Sequence, residues 1–303
     1  MDEELNLITS LDDKERAWWQ ETIKEFRGRI VKEPKAYALE IITKEGITRE
    51  QLTKDTEKYL ELLREAVWQR YLIDEAQFHR EVISHLIQTR DLPRNILTQI
   101  LKKDFFGEDY SKMSKEEVLK KMSKIVGDVA GRVMPYIYEL SLSTTQSRRS
   151  RAGKVFEKII ETFFDIFGYA YSNQSALGNA AYNAQKLGKK VDLIVPDVET
   201  YLSNRSKCAV ITMKTTLRER WQEVAEELNR TNVPHIYLLT VDEGVSANTA
   251  DIMHQYNITL VLYKRAKAKT FTQHANVIDY ETFFLKEMPY ILNYWVGKND
   301  NFY

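Results

Sequence analysis

Four short apolar runs, "KKVDLIVP", "KCAVITMKT", "HIYLLTVD" and "ITLVLYK", constrain the fold of this chain more than any other feature. Each has the length of a strand, and Pro196 ends the first. Helical patterns separate them. "SRAGKVFEKIIETFFDIFG", closed by Gly168, precedes the first run; "RERWQEVAEELNR" follows the second and "SANTADIMHQY" the third. Helix, strand, strand, helix, strand, helix, strand predicts an α/β domain with a mixed central sheet flanked by helices. Residues 141–303 are assigned to it.

Residues 1–140 read as a helical region. Charged residues alternate with Leu, Ile and aromatics at three-to-four spacing, as in "TEKYLELLREAVWQRYLIDEAQFHREVISHLI". "DLPRNILTQILKK" predicts a further helix with Asp91 as its cap and Pro93 in its first turn. "SKEEVLKKMSKIVGDVAGRVM" opens on a capping box from Ser114 to Glu117. The longest basic cluster, "KRAKAK" at 264–269, reads as a solvated loop.

With 44 basic and 44 acidic residues the formal net charge is zero, which argues mildly against a nucleic-acid binder. Binding depends on where charges sit, so DNA is not excluded. The single cysteine, Cys208, rules out a disulfide framework within the chain and points to an intracellular, cytoplasmic setting. The acidic start, "MDEELNLITS", is unlike a signal peptide, and no apolar stretch is long enough to span a membrane. The five histidines lack the spacing of a structural zinc site.

The chemistry lies at the ends of the first two strands. Asp192 is flanked by Val191 and Leu193, so alternation turns it away from its apolar neighbours. Lys214 ends the next strand on the face that Thr212 shares. An aspartate and a lysine on adjacent strands can converge on one phosphate. The carboxylate would hold Mg2+, and the lysine would stabilise phosphorane charge or position the attacking water. This has the form of the nuclease motif PD…(D/E)xK, with Thr212 where its second carboxylate is expected. The following helix offers Glu219, Glu223, Glu226 and Glu227 as replacements, and spacing alone does not choose among them.

The segment from Asp192 through "KTTLRERWQEVAEEL" resembles the restriction endonucleases of the EcoRII, PspGI and NgoMIV group, which recognise CC…GG sites. The resemblance is dense from about 140 to 230 and implies a PD-(D/E)xK restriction-endonuclease-like core. It moves the missing carboxylate to the helix at Glu227, which would join Asp192 as a metal ligand. Arg218, Glu219 and Arg220 fall on the major-groove reading motif of the CCNGG-type members. Arginine donates two bonds to guanine and glutamate accepts from cytosine, at about 1–3 kcal/mol of discrimination per bidentate contact. "TTQSRRSRAGKVFEKIIE" resembles the helix before the catalytic aspartate. Gln146 then approaches the minor groove of the G·C pairs, and Glu157 is an additional acidic residue of the active site. Arg148, Arg149, Arg151 and Lys154 form a basic stretch suited to phosphates. Arg64 and Trp68, four apart on one helix face, match the pair that holds a flipped central base.

Singly, each residue has an ordinary alternative. Asp192 and Lys214 could be surface residues at strand ends, Glu227 could lie on a solvated helix face, and Gln146 could be a cap. Glu157 could pair along its own helix, Trp68 could be core, and Arg64 could pair with Glu61 or Glu65. Together they favour a Mg2+-dependent type II restriction endonuclease acting on double-stranded DNA at a CCNGG-type site. It would be a homodimer, because a near-palindromic site implies two-fold symmetry. The helical region would serve dimerisation, DNA contacts and the base-flipping pocket. A companion DNA methyltransferase would protect the host. The competing reading, kept alive by Thr212, is a non-cleaving sequence-specific DNA-binding protein on a degenerate nuclease fold.

Overall fold

The computed structural model describes residues 7–107, 109–174, 191–217, 221, 222, 224 and 233–299. The helices before the sheet are α1 (Asp13–Ile30), α2 (Pro34–Glu45), α3 (Arg49–Lys54), α4 (Thr56–Thr89), α5 (Asp91–Asp104), α6 (Lys115–Arg132) and α7 (Met134–Phe167). The chain groups into two compact units that interleave in sequence: Met1–Glu33 with Gln69–Ser150, and Pro34–Trp68 with Arg151–Tyr303. Segment 34–68 therefore groups with the sheet, and each division falls beside or within a helix.

In the first unit, α1 starts at Asp12, whose carboxylate accepts from the Glu15 amide at 2.8 Å. Trp19 is fully buried, and its indole N–H donates to the Tyr136 carbonyl at 2.9 Å. The capping box of α6 forms as its sequence predicts, with Ser114 and Glu117 satisfying each other's amides. At α5, Arg90 rather than Asp91 is the cap residue and provides no side-chain bond; Asp91 is the first helical residue.

In the second unit a six-stranded sheet runs in the order β1 (Ser172–Asn173), β2 (Leu193–Val195), β3 (Ala209–Lys214), β4 (Ile236–Thr240), β5 (Ile258–Leu262) and β6 (Val277–Asp279). β2 is antiparallel to both β1 and β3, and β3 to β6 are parallel. The mixed sheet inferred from the sequence is therefore present. Its two marginal strands, β1 and β6, are too short to register as a period-two pattern. The central parallel strands β3 and β4 are mostly apolar and are buried at every position but Lys214, as strands covered on both faces are. On one face, Ile194, Val210, Leu238 and Leu260 pack with residues of α8 (Val198–Ser203), α9 (Ala247–Gln255) and α10 (Lys264–Thr270). Elsewhere in the unit an aromatic cluster ties α7 to the π-helical segment Phe283–Glu287 that leads into α11 (Met288–Asn299), with Phe164 and Phe167 both 5.5 Å from Phe284. Tyr237 of β4 joins it through Phe283. Gly168 closes α7 at φ 69°, the left-handed conformation that glycine adopts without strain.

Candidate active site

Because β2 and β3 are antiparallel, the residue before β2 and the last residue of β3 lie at the same end of the ladder. These are Asp192 and Lys214. The Asp192 amide donates to the Ile211 carbonyl at 2.9 Å, which continues the ladder by one residue. Its carboxylate accepts from the Met213 amide at 2.6 Å and the Thr212 hydroxyl at 3.3 Å. Lys214 Nζ lies 3.7 Å from the same Oδ2 and donates to Thr212 Oγ1 at 3.3 Å and Met213 O at 3.0 Å. Only 17% of the Asp192 side chain and 15% of the Lys214 side chain are exposed. Thr212, wholly buried where a carboxylate is expected, bridges the acid and the amine.

Glu157 on α7 joins this pair electrostatically. Burial, and next the negative charge of Asp192, push its carboxyl up to about 7, against the opposing pull of Lys214 and Lys158. Burial also raises Asp192, although Lys214 and the Met213 amide favour its ionised form. Two acids and one amine therefore act on one another in a partly dry site, where the Asp192 charge disfavours ionisation of Glu157. The pairing of Glu157 along its own helix does not form; Lys158 bonds Glu161 instead, at 2.7 Å.

The chain leaving β3 is pinned by Asp242, whose carboxylate accepts from the Leu217 amide at 2.8 Å and the Gly244 amide at 2.9 Å. Nothing in the sequence reading singled out Asp242, although an acid just past a parallel strand is a usable signal of a strand-end site. Trp221, Gln222 and Val224 are helical, and Val224 is buried in the core. Arg218, Glu219, Arg220 and Glu227, with Glu223 and Glu226, lie outside the described residues.

A pocket of about 620 Å³ opens beside this junction, lined by Glu61, Arg64, Glu65, Trp68, Thr215 and Thr216, among others. α4 turns Leu60, Leu63 and Val67 into the core, which leaves Arg64 and Trp68 on the pocket face. Trp68 is half-buried rather than core. Arg64 does not take up the within-helix ion pair; its Nη1 donates to the Tyr263 hydroxyl at 3.1 Å. Glu61 accepts from Arg265 at 2.5 Å. The "KRAKAK" cluster is not a loop but helix α10, with Arg265 also bonded to both Glu243 oxygens, 3.0 and 2.9 Å from its Nε.

In the first unit, Gln146 is an exposed mid-helix residue of α7, not a helix cap. Arg148 is engaged within that unit: its guanidinium forks onto the buried Glu75 carboxylate, which also accepts from Tyr71. Burial alone would raise Glu75, yet the bonds from Arg148 and Tyr71 hold it below the usual carboxylate range.

The EcoRII C-terminal family model matches residues 110–284. The chain is 39% identical over 181 residues to the type II restriction enzyme SsoII of Shigella sonnei, a match covering 59% of each chain. It thus spans about three fifths of that relative's length. Metal-depleted Ecl18kI in complex with uncleaved, modified DNA superposes with a TM-score of 0.72 at 28% identity, covering 92% of this chain and 85% of that one. The restriction endonuclease PspGI, solved with its substrate DNA, shares the fold at a TM-score of 0.54 and 18% identity, over 95% and 99% of the two chains. The restriction-endonuclease-like α/β fold implied by the strand-end residues is therefore the fold of this chain. Among the described residues no helix is long and apolar enough to cross a membrane.

Proposed function

This chain belongs to the EcoRII C-terminal family, and from that premise we propose that it is a type II restriction endonuclease, a Mg2+-dependent enzyme that hydrolyses double-stranded DNA at a CCNGG-type site. The observation that carries the reading is the buried strand-end cluster, in which Asp192 and Lys214 lie 3.7 Å apart and Glu157 is held against the Asp192 charge. A solvated surface pair would not leave two carboxylates in mutual repulsion; a site built to receive a cation does.

The donor set suits a hard divalent ion, which takes oxygen ligands and retains water when few carboxylates bind it. Asp192 would hold it, with Glu227 as the second ligand by family resemblance and Glu157 completing the acidic site. When bound, the ion supplies charge neutralisation at the phosphate and acidification of a water. Lys214 stabilises negative charge on the phosphate oxygens and orients the nucleophile. Thr212 and the Met213 amide fix the Asp192 carboxylate, so the acid is oriented before DNA arrives.

Recognition is assigned to Arg218, Glu219 and Arg220 in the major groove and Gln146 on the minor-groove side. Arg64 and Trp68 receive a flipped central base, with the indole stacking on it; their position on one pocket beside Thr215 supports this. A homodimer reads the two halves of the site, with dimerisation in the helical N-terminal region, and a methyltransferase of matching specificity accompanies it. Incubating a plasmid of known sequence with the protein and Mg2+, then mapping the ends, tests the proposal. Cuts confined to CCNGG-type sites are expected. Specific binding without any cut product would favour the non-cleaving DNA-binding protein instead.

A further inference from the structure

Glu61 and Arg64, one turn apart on the pocket face of α4, are each held by a residue of one short stretch after β5. Tyr263 takes Arg64 through its hydroxyl at 3.1 Å, and Arg265 takes Glu61 at 2.5 Å. Tyr263 is itself fixed. Its ring is buried, the Arg265 guanidinium lies 4.6 Å from its centroid, and the Tyr280 ring is 5.6 Å away. The Tyr280 hydroxyl donates to the Thr240 carbonyl at 2.8 Å, and Thr240 is the registered neighbour of Lys214. A continuous series of packed and bonded groups therefore runs from the strand that ends in Lys214 to the guanidinium in the pocket.

Resting on the base-pocket reading of Arg64 and Trp68, we infer that Tyr263 is a positioning residue for that pocket. Its hydroxyl holds the Arg64 guanidinium in place before DNA binds, and Arg265 keeps Glu61 from pairing with Arg64. An arginine carries five donors on a flexible stem, and free in solution it would have to be ordered each time a base enters. The Tyr263 bond uses one of those donors, fixes the plane of the fork and leaves the remaining N–H groups for the incoming base. Arg265 is satisfied by Glu61 and Glu243 together, so Glu61 is diverted from its i,i+3 neighbour.

The test compares wild type with Tyr263→Phe on two duplexes bearing the mapped cleavage site, one intact and one with an abasic centre. The abasic duplex has no base to seat. Tyr263→Phe is expected to lower kcat/KM on the intact duplex about tenfold, the effect of losing one bond to a charged group. On the abasic duplex it should stay within about twofold of wild type. Equal losses on the two duplexes would mean that Tyr263 only supports the fold, and no loss on either would mean that it does not position Arg64; either result overturns the inference. Emission from 2-aminopurine at the central position separates this from the pocket reading. If Trp68→Ala leaves the binding-induced emission change intact, the pocket reading fails and the inference with it. If Trp68→Ala abolishes the change while Tyr263→Phe alters neither emission nor cleavage, the inference alone fails.

Discussion

Replacing Glu157 by glutamine should make the metal-free protein more stable at pH 8 and leave it unchanged near pH 4. Its carboxyl has an ordinary value of 4.5 and sits at about 7 in the folded chain, mainly through burial and then the charge of Asp192. A raised acid favours the folded state only while protonated. Its contribution is intact below pH 4.5 and is lost as pH rises through 7. At about 1.36 kcal/mol per pKa unit, the full penalty above pH 7 is about 3 kcal/mol. Glutamine keeps the shape and removes the charge, so the penalty disappears. For a chain of this size about 2 °C accompanies each kcal/mol, so the variant should melt about 6 °C above wild type at pH 8. Thermal denaturation in chelator-treated buffer at pH 4 and pH 8 makes the comparison. Adding Mg2+ at pH 8 should narrow the gap, because a bound cation relieves in wild type what the substitution removes. Equal melting temperatures at pH 8, or a less stable glutamine variant there, would refute the picture of two carboxylates held in repulsion.

Lys214→Ala should abolish plasmid cleavage while gel-shift affinity for the site changes little; retained cutting would remove Lys214 from the active site. Arg148→Ala should destabilise the fold by about 3 kcal/mol, because it strands the buried Glu75 carboxylate, and urea melts of Arg148→Ala and Arg148→Ala/Glu75→Gln should show the double variant recovering much of that loss. Asp242→Ala removes the acceptor of the Leu217 amide and should cost about 1 kcal/mol of stability; cleavage of a panel of single-mismatch sites should reveal weaker discrimination, since the residues assigned to base reading start at 218.

Much of the site was legible because the relevant geometry is local. Alternation along two strands put Asp192, Thr212 and Lys214 at one end of the sheet, and those three bond to one another. Helical spacing put Arg64 and Trp68 on one face, and they line one pocket. The basic stretch was read less well. Its composition suggests a phosphate surface, yet Arg148 forks onto Glu75, 73 residues earlier in the chain. "KRAKAK" reads as a loop by charge, but Arg265 finds Glu61 and Glu243 and Lys267 lies 3.9 Å from Asp279, which anchors the segment as a helix.

By itself the sequence determined the alternation of strands and helices, the chemistry of the strand ends and the family resemblance, all of which repeat over two to four residues or sit at fixed spacings. Only the tertiary structure decided that segment 34–68 groups with the sheet, that the Asp192 charge reaches Glu157, that Tyr263 accepts from Arg64, and that Asp242 holds the Leu217 amide. The physical reason is range. Backbone periodicity fixes which way a side chain points, but the partner it meets there, 20 to 200 residues away, is chosen by how the buried faces of whole elements pack.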